Sequence, residues 1–183
     1  MNVIIALSGQ IGSGKTSISN GLAQLLNWDI VSFGNYIRKI ALSKQIDITR
    51  ENLQNLGESL VRENPESFCY SVLEQENNWK NKSFIIEGVR HEIVLDKLIN
   101  IVVPSTLYHI HLLVSNIERE RRVILRGNLS DDLKSMHMHP SEADVHQLLF
   151  DRANFIVDTT NLSVEETCSN IFSHLKANKI ALL

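Results

Sequence analysis

Gly9-Gln10-Ile11-Gly12-Ser13-Gly14-Lys15-Thr16 decides the fold of this chain, because it has the spacing G-x-x-x-x-G-K-T of a phosphate-binding P-loop, the Walker A motif. The residues before it, 3–7, form a continuous apolar run that is typical of a buried parallel strand. The residues after it, 17–26, carry apolar side chains at helical spacing. This strand–loop–helix context predicts a nucleoside triphosphate site rather than a plain glycine-rich turn.

The residue types of the loop explain how it would hold a nucleotide. Its glycines allow a tight curl that aims backbone N–H groups inward, and the helix that follows adds the positive end of its dipole. We expect Lys15 to reach the β- and γ-phosphates of ATP and the Thr16 hydroxyl to ligate Mg²⁺. The residues predicted to bind ATP here are Gly9, Gly12, Ser13, Gly14, Lys15, Thr16 and Ser17.

Length and composition favour one soluble domain. The chain has 183 residues, enough for a full hydrophobic core, and we treat residues 1–183 as a single domain. Its net charge of −3 argues against a general nucleic-acid-binding surface, and it has no apolar run of the roughly 20 residues that a membrane span needs. Its cysteines, Cys69 and Cys168, show no metal-type spacing and fit a reducing, cytoplasmic compartment. The N-terminal apolar run is too short for a signal peptide.

Strand-like and helix-like segments alternate along the chain. Strands are predicted at about 3–7, 28–33, 83–86, 107–114 and 155–157, with helices between them. This order predicts a three-layer α/β/α fold with a five-stranded parallel sheet covered by helices on both faces. We expect a helical insertion at about 36–78, in which Gly34 turns the chain into the first helix, and a short lid at about 126–141.

Polar clusters follow the predicted strands and should therefore meet. In an open parallel sheet the ligand site lies at the carboxyl ends of the strands. The clusters at 32–38, 87–90, 119–126 and 158–161 each follow one strand. We expect them to converge on the rim that holds the P-loop.

Two of these clusters resemble the acceptor-binding residues of adenylate kinases and related nucleoside monophosphate kinases. In the stretch 31–38, Gly34 and Arg38 keep the family spacing between a turn glycine and the arginine that grips the acceptor phosphate. Phe33 stands where the family has a small hydroxyl residue. The sequence Glu87-Gly88-Val89-Arg90 is similar to the family's Asp-Gly-x-x-Arg, with one residue fewer before the arginine. The resemblance implies that Phe33, Gly34, Arg38, Glu87 and Arg90 bind the acceptor.

The last two clusters extend the resemblance. Arg122 and Arg126, four residues apart on one helix face, resemble the paired arginines at the root of the family's lid. The segment 152–158 is similar to the entry to the last strand of dephospho-coenzyme A kinases, and Asp158 and Asn161 are expected to line the adenine pocket. The family implies an ATP-dependent kinase, with ATP and Mg²⁺ as cofactors, that phosphorylates a nucleotide-like acceptor, foremost a (deoxy)nucleoside monophosphate.

The residue chemistry agrees with phosphoryl transfer. Arginine pairs two phosphate oxygens through its planar fork and never loses its proton, so it suits a site where phosphates cluster. The predicted cage consists of Lys15, Arg38, Arg90, Arg122 and Arg126. Among these, Lys15, Arg122 and Arg126 are the catalytic candidates, while Thr16 and Glu87 are the candidates for holding Mg²⁺.

Other conspicuous residues are expected to have structural roles. We predict that Arg119 and Arg121 are surface residues that pair with Glu118 and Glu120. His109 and His111 alternate on a strand, so they should share a face as buried, hydrogen-bonded histidines. The sequence 136–139, Met-His-Met-His, lacks a fixed metal-ligand spacing and is expected to form part of the polar lid.

Two alternatives stay open at this point. One is a dephospho-coenzyme A kinase or another small-metabolite kinase. The other is a regulatory module that binds a nucleotide without transferring phosphate, although no guanine-type Asn-Lys-x-Asp motif is present. The expected partner is a small-molecule nucleotide rather than a nucleic acid or a membrane, and both a monomer and a homodimer are compatible with the sequence.

Overall fold

A computed structural model describes residues 2–125 and 147–180 of the chain. Its parallel sheet contains the strands β1 (Val3–Gly9), β2 (Asp29–Ser32), β3 (Phe84–Glu87), β4 (Thr106–Leu113) and β5 (Phe155–Asp158). The strand order is β2-β3-β1-β4-β5, and all four neighbouring pairs are parallel. The predicted three-layer α/β/α fold with a five-stranded parallel sheet is therefore confirmed.

The helices lie between the strands, as the alternation predicted, and one more helix follows the last strand. They are α1 (Lys15–Leu26), α2 (Phe33–Ser43), α3 (Arg50–Glu63), α4 (Pro65–Leu73), α5 (Glu92–Ile101), α6 (Asn116–Leu125), α7 (Leu148–Asp151) and α8 (Val164–Ala177). A short 3₁₀ turn covers Trp79–Asn81 before β3. The predicted lid at 126–141 lies outside the described residues.

Two hydrophobic clusters lie on the opposite faces of the sheet. The central strand β1 is buried along its whole length, and its alternate side chains point into different clusters. Ile4 and Ala6 pack with residues of α2, α4 and α5. Ile5 and Leu7 pack with residues of α1 and α8. This sandwich fixes β1, and the loop that leaves it, in the middle of the sheet.

Side-chain caps set where the helices begin. Thr49, Asn64 and Ser163 each accept a hydrogen bond from the backbone N–H three residues later, which stabilises the first turns of α3, α4 and α8. The start of α2 was predicted wrongly. Gly34 was expected to be the turn before this helix, but it lies inside the first turn. The helix begins at Phe33, and the side chain of Ser32 caps it by accepting a hydrogen bond from the N–H of Asn35.

One glycine explains how closely two helices approach. Gly21 lies in the middle of α1, where a glycine weakens an isolated helix. A β-carbon built at this position would be 2.7 Å from the sulfur of Cys168 on α8. The close contact between α1 and α8 therefore requires a residue without a side chain here.

Among the described residues, no helix combines the length and the apolar character that are needed to cross a bilayer.

Candidate active site

The P-loop follows directly from β1 and is shaped by contacts with α6. Gly12 has φ of +84°, and a β-carbon there would be 2.7 Å from Cγ of Arg119. Arg119 is only 5% exposed, and its guanidinium donates a hydrogen bond of 2.6 Å to the side-chain oxygen of Gln10. The prediction that Arg119 is a surface residue is therefore wrong, because its side chain packs under the loop. Arg121, as predicted, is exposed and pairs with Glu118.

Lys15 lies at the first residue of α1, on the inner side of the loop. Its ammonium group donates hydrogen bonds to the backbone oxygens of Gly9 and Gln10, the second at 2.8 Å. These carbonyls carry partial negative charge and hold the lysine over the loop. A bound phosphate would offer the same ammonium group a full negative charge, which is a stronger acceptor.

Glu87, the last residue of β3, accepts hydrogen bonds from two hydroxyl groups of α1. Thr16 donates to one carboxylate oxygen at 2.9 Å and Ser19 donates to the other at 2.7 Å. A hydroxyl and a carboxylate side by side are hard oxygen ligands that suit Mg²⁺, which usually takes one or two protein ligands together with phosphates and waters. The donor set of Thr16 and Glu87 therefore fits the predicted Mg²⁺ site.

Ser19 was not singled out from the sequence. Its position one turn after Thr16 places it on the same helix face, and this spacing is a signal that could have revealed it.

The structure brings Lys15, Arg38 and Arg90 together around one cleft, which we call the phosphate cleft. Its lining includes the P-loop, Thr16, Glu87 and a further arginine, Arg50. Arg50 is the first residue of α3, so the N-terminal end of that helix places it at the cleft. Sequence reasoning missed Arg50 because nothing local shows where the start of α3 points.

A second cavity continues from the phosphate cleft, and we call it the apolar pocket. The two share Gly34, Arg38, Arg50, Gly88 and Arg90, so these residues form the junction between them. Beyond the junction the apolar lining residues are Phe33, Ile37, Leu53, Val61, Phe68 and Val94. The rings of Phe33 and Phe68 meet edge to face with centroids 5.1 Å apart. The cleft and pocket together form a charged entrance followed by an apolar slot.

Arg122 lies in a different cleft, on the other side of the P-loop. Its Nε donates to Glu118 at 2.8 Å, and its other nitrogens donate to the hydroxyl and the backbone oxygen of Thr159 at 3.1 and 2.6 Å. The lining of this cleft also includes Ser17, Gly14 and Asn161. Arg122 thus ties α6 to the loop after β5, beside the predicted adenine-binding residues.

The remaining predicted residues have the following places. Asp158 accepts hydrogen bonds from the hydroxyl and the N–H of Thr160, and these bonds lower the pKa of its carboxyl group. Ser13 is fully buried, and its backbone oxygen accepts a hydrogen bond from the Thr159 hydroxyl. Arg126 and the histidine-rich stretch 136–139 lie outside the described residues. Within 2–125 and 147–180, no group of three or more His, Cys, Asp or Glu side chains could hold a metal ion.

A buried chain of hydrogen bonds lies directly under the P-loop. His109 and His111 are buried on one face of β4, as predicted, and both contact the hydroxyl of Ser8 at 2.6 and 2.8 Å. Nδ1 of His109 faces the backbone oxygen of Arg152 at 3.2 Å and must donate to it. Nε2 of His109 therefore accepts from Ser8, whose oxygen accepts from His111. Burial lowers the pKa of His109 to about 4, so this ring is neutral at pH 7.

The neutral His109 predicts a loss of stability in mild acid. Its pKa is near 6.5 in the unfolded chain and about 4 in the folded one, so between these values the unfolded chain binds more protons. The free energy of unfolding should fall by about 2 kcal/mol from pH 7 to pH 5 through this residue. Urea unfolding at the two pH values measures the change. His109→Gln should show a smaller fall, whereas between pH 7 and pH 8 the two proteins should respond alike. An equal fall in the variant would contradict the assignment.

A family model described as an AAA domain matches residues 5–149. An S-adenosylmethionine-dependent nucleotide dehydratase from Lacinutrix mariniflava is 24% identical over 99% of this chain, which spans 38% of that protein's length. A cytidylate kinase from Pyrobaculum calidifontis is 27% identical over 90% of this chain and 88% of its own.

Solved structures share the fold. A shikimate kinase from Acinetobacter baumannii in complex with shikimate superimposes with a TM-score of 0.66 at 13% identity, over 99% of this chain and 96% of its own. A Mycobacterium tuberculosis APS kinase in complex with AMPPNP and APS gives 0.63 at 11% identity, over 96% of this chain and 98% of its own. Both likenesses concern the arrangement of strands and helices around the loop.

Proposed function

Because this chain belongs to the AAA domain family and has the fold of P-loop kinases, we propose that it transfers the γ-phosphoryl group of ATP to a nucleoside monophosphate. The observation that carries the proposal is the continuity of the phosphate cleft with the apolar pocket. Arg38, Arg50 and Arg90 lie at the junction, where the phosphate of an acceptor would meet the end of ATP. An acceptor with a phosphate at one end and a flat apolar base at the other fits this sequence of surfaces.

Each charged residue then has a role in the transfer. Lys15 and the backbone of the P-loop hold the phosphates of ATP, while Arg38, Arg50 and Arg90 hold the acceptor phosphate. Mg²⁺, when held by Thr16 and Glu87, would neutralise charge between the transferred and remaining phosphates. Phosphoryl transfer depends on positioning and electrostatics, so a cage of cations around the phosphates supplies most of what the reaction needs.

Two observations favour a nucleotide over another small metabolite. The pocket beyond the arginines is lined by Phe33, Phe68 and aliphatic side chains, which suit the faces of a base. Three of the relatives are named as a nucleotide dehydratase and as cytidylate kinases, and each of these names refers to a nucleotide. The alternative acceptor is dephospho-coenzyme A. The alternative function without phosphoryl transfer is that of a regulatory NTPase.

The test measures ADP release from Mg-ATP in the presence of ribo- and deoxynucleoside monophosphates, dephospho-coenzyme A and shikimate. A kinase for nucleotides should be nearly idle alone and strongly stimulated by at least one monophosphate. Stimulation only by dephospho-coenzyme A or shikimate would replace the acceptor class. Slow ATP hydrolysis that no compound stimulates would contradict the kinase proposal and favour a regulatory NTPase.

Removing one junction arginine should weaken acceptor binding selectively. Arg38 is exposed in the cleft, and its guanidinium donates to Asn35 at 3.2 Å, so it can turn toward a phosphate. Arg38→Ala is expected to raise KM for the nucleoside monophosphate by about tenfold or more, because a charge-assisted hydrogen bond is lost. Steady-state kinetics with saturating ATP measures this.

Two comparisons make the Arg38 result specific. Arg62→Ala removes an exposed arginine from the far end of α3 and should leave KM unchanged. Hydrolysis of ATP without acceptor should be the same in Arg38→Ala as in the unaltered protein. Equal losses of hydrolysis and transfer would contradict the acceptor role of Arg38.

A further inference from the structure

A buried arginine contacts the P-loop but lines neither the phosphate cleft nor the apolar pocket. Arg119 of α6 is 5% exposed, and it is not among the residues that line either cavity. Arginine keeps its proton in proteins, so its burial places a permanent positive charge beside the loop. Because the burial of a charged group costs free energy, an arginine at this place indicates a role beyond filling space.

The guanidinium of Arg119 is joined to the loop through the side chain of Gln10. Its Nη1 atom donates a hydrogen bond of 2.6 Å to Oε1 of Gln10. The backbone oxygen of the same glutamine accepts hydrogen bonds from the N–H of Ser13 at 3.1 Å and from the ammonium group of Lys15 at 2.8 Å. Gln10 therefore connects the buried arginine to the turn of the loop and to the lysine that is expected to hold the phosphates of ATP.

The backbone of the loop also packs closely against α6. A β-carbon at Gly12 would be 2.7 Å from Cγ and 3.1 Å from the backbone oxygen of Arg119. Nη1 of Arg122, which lies nearly one turn further along α6, is 3.5 Å from the backbone oxygen of Gly12. These contacts leave the loop little room to change its curl while α6 stays in place.

We propose that Arg119 is a positioning residue, which acts through Gln10 to keep the P-loop in the shape that receives the phosphates of ATP. This role rests on the proposed function, in which ATP is the phosphate donor. A loop that is ordered before the nucleotide arrives loses less conformational entropy on binding, and this raises the affinity. The effect should concern ATP and not the acceptor, because neither Gln10 nor Arg119 lines the cavities assigned to the acceptor.

The experiment breaks the hydrogen bond at Gln10 and leaves the buried arginine unaltered. Gln10→Met removes the acceptor oxygen and keeps the length of the side chain. The Kd for Mg-AMPPNP, a nonhydrolysable analogue of Mg-ATP, should rise about tenfold or more in titration calorimetry, because a hydrogen bond from a charged donor is lost. The KM for the best nucleoside monophosphate at saturating Mg-ATP should change by less than about twofold. Gln24→Met, which replaces an exposed glutamine of α1, is the matched control and should leave both values unchanged.

A double-mutant cycle tests whether the arginine acts through the glutamine. Arg119→Met should raise the Kd for Mg-AMPPNP at least as much as Gln10→Met does. Adding Gln10→Met to Arg119→Met should then raise the Kd by less than about twofold further, since the bond is already absent. Thermal unfolding shows whether each variant is folded. If Arg119→Met does not fold, Gln10→Met alone decides the proposal through its Kd for Mg-AMPPNP and its KM for the acceptor.

Three results would overturn the inference. They are an unchanged Kd in folded Gln10→Met, an equal rise of the KM for the acceptor, and effects of the two substitutions on the Kd that multiply as if the residues were independent. The Kd measurement does not require phosphoryl transfer. A protein that binds Mg-AMPPNP and phosphorylates no nucleoside monophosphate would therefore contradict the proposed function, while the Kd values would still decide the role of Arg119. An unaltered protein that does not bind Mg-AMPPNP would contradict both.

Discussion

Lys15→Met should lower the rate of phosphoryl transfer by about 1,000-fold or more, the largest effect that we expect from a single substitution. The ammonium group of Lys15 lies over the P-loop and is held there by the backbone oxygens of Gly9 and Gln10. No other described lysine lines the phosphate cleft. Methionine keeps the length of the side chain and removes the charge, so the loss would be electrostatic. The measurement is ADP formation with the best acceptor at saturating ATP.

The matched control for Lys15 is Lys44→Met, which removes an exposed lysine at the end of α2. This control should retain full activity. Thermal unfolding should show that Lys15→Met is folded, since the lysine lies on the inner side of the loop and not in either hydrophobic cluster. A folded Lys15→Met protein with more than a tenth of normal activity would contradict the phosphate-binding role of the loop.

Glu87→Ala is expected to lower kcat by about 100-fold and to raise the Mg²⁺ concentration needed for half-maximal rate. The carboxylate of Glu87 is the acceptor for the hydroxyls of Thr16 and Ser19, so its loss frees both and removes the charged ligand of the predicted metal site. Titration of the rate with Mg²⁺ at fixed ATP measures both effects.

Ser19→Ala distinguishes two possible roles of Glu87, which are to hold Mg²⁺ and to position α1. It removes one hydrogen bond and leaves the carboxylate in place, so we expect a change in rate of only about threefold to tenfold. If Ser19→Ala were as damaging as Glu87→Ala, the carboxylate would act by positioning α1 rather than by holding Mg²⁺. An unchanged Mg²⁺ requirement in Glu87→Ala would contradict the metal role.

The parts of the fold that local chemistry controls were predicted from the sequence. The G-x-x-x-x-G-K-T spacing, the apolar run before it and the alternation of strands and helices led to the correct three-layer fold. The helix starts at Thr49, Asn64 and Ser163 are controlled locally in the same way, because each cap acts within four residues. The start of α2 was wrong because Gly34 was interpreted as a turn residue, whereas the cap at Ser32 extends the helix through it.

The site was only partly predictable, since much of it depends on how distant segments meet. Arg38 and Arg90 lie at one cleft, as expected for residues that follow neighbouring strands of a parallel sheet. Arg50 also lines this cleft, because the N-terminal end of α3 points toward it. Arg119 has the sequence context of a surface arginine and is buried because Gly12 leaves room for it. Gln54 and Glu58 lie on a helix of ordinary amphipathic pattern, and only the packed structure shows that they line the apolar pocket.

Because of the order of the strands along the chain, most of the apolar pocket and the P-loop come from different stretches of sequence. β2 and β3 are neighbours in the sheet, yet the chain between them leaves the sheet to build α2, α3 and α4, which supply most of the apolar pocket. The loop that would hold ATP comes from β1 and α1, on a different stretch of sequence. Substitutions, insertions or an exchange of residues 33–81 can therefore reshape what is phosphorylated while the phosphate donor site stays as it is. The part of the pocket that comes from Gly88, Arg90, His91 and Val94 would stay in place in such an exchange.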